Sequence, residues 1–145
     1  MLYKLSFTIG LSYIAFLLPI SISALKPTSI PPFFKIEGIV AFAQETTDAH
    51  FVEAERLNQQ GIQQFNSGQV YQALEIFQQE LELRRQLGDR AGEGGVLNNI
   101  GSVYDALGQY QEALSFYEEA LIIRQTIGDQ RGEGESFNNI GSIYD

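Results

Sequence analysis

Few side chains in this sequence are equipped for chemistry. His50 is the one histidine and there is no cysteine, so neither a nitrogen–sulfur metal site nor a thiol nucleophile can be assembled. A catalytic triad would require His50 to fold back over the rest of the chain, and nothing in the sequence directs it there. The adjacent carboxylates Glu118 and Glu119 point in different directions on a helix, so they are not a facing acid and base. Gly92-Glu93-Gly94-Gly95 invites comparison with a phosphate loop, yet it holds a carboxylate, lacks a following Lys-Ser/Thr pair and follows a helical pattern instead of a strand. Its recurrence as Gly132-Glu133-Gly134 predicts a flexible turn between repeated units. The sequence therefore predicts no enzyme activity, no catalytic residue, no cofactor and no metal site.

What recurs is the spacing. Residues 88–105 and 128–145 are 40 positions apart and identical at 12 of 18 positions. A more diverged copy lies one period earlier: Gly61, Gly68-Gln69, Ala73-Leu74, Leu81, Arg84 and Gly88-Asp89 fall on Gly101, Gly108-Gln109, Ala113-Leu114, Leu121, Arg124 and Gly128-Asp129. Asn58, Asn98 and Asn138 share that register. A period of this size predicts a helical array, in which each unit needs the next to cover its apolar face. The sequence ends at Asp145, which matches Asp105 inside a copy, so the expectation is about two and a half repeats of a longer array.

The elements that must hold these residues follow from periodicity. Leu97, Ile100, Gly101, Tyr104 and Leu107 recur at three and four, which predicts a helix from about Gly92 to Ala106. Gly108 ends it, and Gln109 opens a second helix with Tyr110, Ala113, Leu114, Tyr117, Ala120, Leu121 and Ile127 on one stripe. So short a link makes the pair an antiparallel hairpin. Small residues at Gly61, Ala73, Gly101 and Ala113 permit close approach, with Phe77, Tyr104 and Tyr117 filling the space beside them.

Leu97-x2-Ile100-Gly101-x2-Tyr104, Gly108, Tyr110, Ala113-x3-Tyr117 and Ala120 resemble the tetratricopeptide repeat, whose pattern is W-x2-L-G-x2-Y followed by A-x3-F. Gly141 and Tyr144 continue it. The resemblance runs from about Ala54 to Asp145, with repeats at about 54–93 and 94–133 and an incomplete one at 134–145. It departs from the family at the tryptophan position, held by Leu97 and Phe137, and in a period longer than the usual length of about 34 with no closing proline. The longer unit is similar to the subfamily of kinesin light chain, of spindle-orientation adaptors and of bacterial arrays fused to CHAT protease domains. The resemblance implies an all-α, right-handed superhelical solenoid of antiparallel helix pairs that binds a protein or peptide on its concave face. With Gly94 as the first position of its repeat, it implies groove roles for Asn58, Asn98 and Asn138, for Ser102 and Asp105, and for Glu135. Each amide both donates and accepts, so such a ladder suits the backbone of an extended peptide. The alternative, for Asn98 and Asn99, is that they bond to neighbouring helices and hold repeat spacing. For the whole chain, the alternative is the regulatory end of a larger enzyme, such as a CHAT-type protease.

The amino terminus differs in kind. Leu5 to Leu25 carries no charge, enough to cross a hydrocarbon core of about 30 Å, and Lys4 precedes it. Ala41-Phe42-Ala43 supplies small residues for cleavage. The reading is a signal peptide or amino-terminal anchor over 1–43, a linker or the start of the first helix over 44–53, and repeats over 54–145. Pro27, Pro31 and Pro32 keep an uncleaved anchor at 5–25 as the alternative, and a misassigned start upstream of a shorter signal as another; each predicts export. The whole chain carries a net charge of −9, and residues 44–145 have six basic side chains against 17 acidic ones. No basic stripe exists to neutralise phosphates, so nucleic acid and anionic membrane surfaces are not expected partners. Carboxylates at the proposed groove favour a neutral or basic segment. An uncovered last helix would expose Phe137, Ile140 and Tyr144 and favour self-association.

Overall fold

The computed structural model describes residues 37–144, with side chains from residue 43 onward. Every regular element among the described residues is helical: α1 Glu37–Asn66, α2 Val70–Leu87, α3 Arg90–Ala106, α4 Tyr110–Ile127 and α5 Gln130–Ile143. The chain divides into two compact units, Met1–Asp48 and Ala49–Asp145. In the first, the described part is the opening of α1, where the Thr46 and Thr47 hydroxyls donate to the carbonyl of Ala43. The expected apolar span at 5–25 lies outside the described residues, while Ala43, the expected cleavage point, lies within α1. No described helix is long and apolar enough to cross a membrane.

Within Ala49–Asp145 the breaks between helices have two chemistries. At the joints between repeats, Gly88 and Gly128 take left-handed conformations, with φ of 68° and 73°. Only a residue without a Cβ adopts this geometry freely. The next residue then caps the following helix: the Asp89 carboxylate accepts from the Gly92 amide at 2.9 Å, and that of Asp129 from the Gly132 amide at 3.0 Å. Such a cap is worth about 1 kcal/mol. Inside each hairpin the turn again uses a left-handed glycine, Gly68 or Gly108, but Gln69 and Gln109 make no side-chain cap.

The glycines at 92–95 are helical, contrary to the flexible turn expected from sequence. Asp89 starts α3 at Arg90, two residues before the predicted Gly92. A Cβ on Gly92 would collide with the Asp89 carboxylate and the Arg84 side chain, and one on Gly94 would touch Ile123 and Arg124 at 3.4 Å. Glycine at these two positions serves close packing between helices, and the chain keeps its helical path.

Packing then follows the small-residue pattern. Ala73, Phe77, Leu81, Val96, Leu97, Ile100, Val103, Ala120 and Ile123 form one buried cluster, to which each large side chain contributes about 1.5–3 kcal/mol. Phe77 fills the space over Gly61 and Tyr117 that over Gly101; in each case a Cβ would lie 2.5 Å from the ring. Ala113, like Ala73, is fully buried, and Tyr104 stacks on Phe116 with centroids 5.2 Å apart. Along α5 and its C-cap Tyr144 the equivalent seam is uncovered among the described residues: Gly141 has none of their atoms within 4 Å of a Cβ, and Phe137 and Tyr144 are 54% and 74% exposed.

Candidate binding groove

The residues expected to line a groove lie on the first helix of each pair, and their surroundings differ from repeat to repeat. In the first, the Asn58 amide donates to the Glu80 carboxylate of α2 at 3.1 Å. In the second, Glu80 is replaced by Ala120, and the Asn98 side chain instead accepts from the Asn139 amide of α5 at 2.9 Å. Asn138 is exposed, and its side chain makes no hydrogen bond among the described residues. Two of the three amides thus use one hydrogen-bonding function on a neighbouring helix, and the α3–α5 contact comes through Asn139. Ser102 donates to the Asn98 carbonyl at 3.1 Å and accepts from the Tyr117 hydroxyl at 3.2 Å. Asp105 is half-buried and carries no ion pair among the described residues.

Sequence reasoning passed over the charged residues beneath this face. Arg84 joins α1, α2 and the repeat joint by donating to Glu55 at 3.3 Å, to Glu80 at 3.1 Å and to Asp89 at 2.7 Å. Arg124, at the same place in the next repeat, is buried and donates to the Gly132 carbonyl and, at 3.1 Å, to the Ser136 hydroxyl. It also pairs with Glu135 at 3.4 Å, which Arg131 shares. Glu55 and Glu135 are therefore partly neutralised from below, whereas Asp105 is not. The 40-residue recurrence of arginine was the available signal, but its burial depends on Gly92 and Gly132 leaving room for it.

Glu80 is the most strongly constrained carboxylate of the set. Burial pushes its pKa above the ordinary 4.5, and the opposing help from Asn58 and Arg84 does not restore it. The folded chain therefore holds this proton more tightly than the unfolded chain does. The resulting stabilisation is complete below about pH 4.5 and is lost as pH rises through the higher folded value. Glu80→Gln keeps an acceptor for Asn58 and removes the buried charge. Its melting temperature relative to the parent should rise between pH 4 and pH 7, measured by circular dichroism; a difference that stays flat or falls over that range would refute this account.

No cluster of histidine, cysteine or acidic side chains able to hold a metal ion occurs among the described residues. The geometry offers, on the neighbouring first helices α3 and α5, amides, hydroxyls and the half-buried carboxylate of Asp105. The sequence model of the tetratricopeptide repeat matches residues 53–126 and, in a second placement, 95–145. The chain belongs to the tetratricopeptide repeat family. No curated protein matches it. Tetratricopeptide repeats generally mediate protein–protein interaction and are typically non-catalytic scaffolds. The hairpins α1–α2 and α3–α4 are two tetratricopeptide units, and α5 is the first helix of a third.

Proposed function

We propose that this tetratricopeptide array is an exported, non-catalytic docking module that takes an extended, neutral or basic protein segment across the first helices α1, α3 and α5. The observation that carries the reading is Asp105, a half-buried carboxylate without an ion pair on α3, between the Asn98–Asn139 contact and the hairpin turn. Glu55 and Glu135 already have arginine partners, so Asp105 is the groove position with unspent charge. Asn138 adds an amide free to meet a peptide backbone. The excess of acidic residues in the chain favours encounter with a basic partner. The 40-residue unit is what supports a likeness to the longer-period arrays of the kinesin light chain type, and the uncharged stretch at 5–25 is what supports export.

The test is a peptide array of extended sequences matched in length and differing in charge. Basic and neutral peptides should bind more tightly than acidic ones, and Asp105→Lys should weaken the basic set by about tenfold, or about 1.4 kcal/mol. Equal binding of acidic peptides, or an unchanged affinity in the variant, would remove Asp105 from the groove.

A further inference from the structure

The two complete hairpins differ at three linked positions on the groove side. In α3 and α4, Ser102 accepts from the Tyr117 hydroxyl at 3.2 Å. Burial pushes the pKa of that hydroxyl above its ordinary 10.0, and the charge of Asp105 adds to the rise, which sets the carboxylate near the pair. One period earlier the same three places hold Ile62, Phe77 and Phe65. Phe77 has no hydroxyl to present, Ile62 none to receive it, and Phe65 packs on the buried cluster where a carboxylate would stand. Changed together, the three leave no donor or acceptor unpaired. The groove floor thus passes from apolar on α1 to polar and anionic on α3, within two units that are both whole. Ile62 is 40% exposed and is the aliphatic side chain of a shallow hollow lined also by Gln59, Gln63, Asn66 and Ser67.

The repeat also fixes the spacing of the two surfaces. Ile62 stands level with Ser102, and Asp105 lies three residues, about 4.5 Å, further along its helix. Packed neighbouring helices are about 8–10 Å apart, so Ile62 and Asp105 are separated by about 10 Å. A polyproline-type segment has three residues per turn and rises about 3.1 Å per residue, so its residues i and i+3 face the same way about 9 Å apart. In a flat strand the same face returns only at even steps. We propose that the docked segment carries an aliphatic or aromatic side chain three positions from a lysine or arginine, the first seated on Ile62 and the second against Asp105. This specifies the ligand of the groove described above and rests on that reading. Over residues 44–145, 17 acidic side chains stand against six basic ones, which draws the cation in at long range, and the apolar contact then sets its register.

Fluorescence anisotropy on the full chain tests this with labelled peptides of equal length, each made in both chain directions. A Leu-x-x-Lys peptide should bind about tenfold tighter than Ala-x-x-Lys, and about tenfold tighter than a peptide with the leucine and lysine adjacent. Ile62→Ser, which gives α1 the residue found on α3, should bring the leucine-to-alanine ratio to about one. Ile62 is exposed, so the helical signal should persist. A ratio near one in the parent, equal binding of the adjacent pair, or a ratio indifferent to Ile62→Ser would each overturn the proposal. Failure of the groove itself looks different and takes the proposal with it: exchanging lysine for glutamine would then cost nothing, and Asp105→Lys would change no affinity. If those two respond while leucine adds nothing, only the apolar contact falls.

Discussion

Gly101→Val is expected to destabilise the array by about 2–3 kcal/mol, the loss appearing as a melting midpoint lower by about 10–20 °C for a domain of this size. The first atom added would sit 2.5 Å from Tyr117 Cε1 and 2.6 Å from Cδ1, inside the distance at which carbon atoms repel. The ring has no free direction to yield. Tyr117 is buried, its hydroxyl is tied to Ser102, and its helix is held against α3 along the whole hairpin. Replacing glycine in a helix ordinarily helps by up to about 1 kcal/mol, so the measured loss understates the clash. Pairing the change with Tyr117→Leu should recover part of it, giving a non-additive double-mutant cycle between residues in contact. A variant that melts with the parent, or a cycle that is simply additive, would mean that α3 and α4 do not approach as described.

The second large effect is a contrast. Leu97 and Phe137 occupy the same place in successive repeats, so a repeat-averaged view gives them equal weight. Leu97 is fully buried, and Leu97→Ala should cost about 3 kcal/mol through lost burial and the cavity left behind. Phe137 is 54% exposed, and Phe137→Ala should cost no more than about 0.5 kcal/mol in dilute solution. Denaturant melts at low protein concentration measure both. Similar losses at the two sites would show that α5 is covered on the side described as open.

The helical fold of the repeats was readable because its determinants are local and recur. Gly68, Gly88, Gly108 and Gly128 fall at a regular beat and are, among the described residues, those with positive φ, while the three-and-four spacing around Leu97 and Tyr117 marks the faces that meet. Gly92 and Gly94 misled because their role is set by the Asp89 cap and by Arg84, Ile123 and Arg124, which reach them from neighbouring helices. Lacking a partner in the sequence window, they look like a loop. The amides show the same limit. Their shared register was visible, but what each one bonds to depends on whether residue 80 or 120 carries a carboxylate, a difference 22 residues away across the hairpin. Phe116, which stacks on Tyr104, lay outside the predicted stripe because the stack forms at the edge of the helix contact and not at its centre.

The joints at Gly88-Asp89 and Gly128-Asp129 bear on how such a gene changes length. Each holds a left-handed glycine that closes one helix and an aspartate that opens the next. A 40-residue block copied or lost between two such joints brings or removes a whole turn, caps included, and leaves no seam for later substitutions to repair. Unequal recombination at this spacing changes the number of units while leaving every remaining helix end correctly formed. The length of the binding surface is thereby free to vary in steps of one unit, independently of the side chains that decide what each unit recognises.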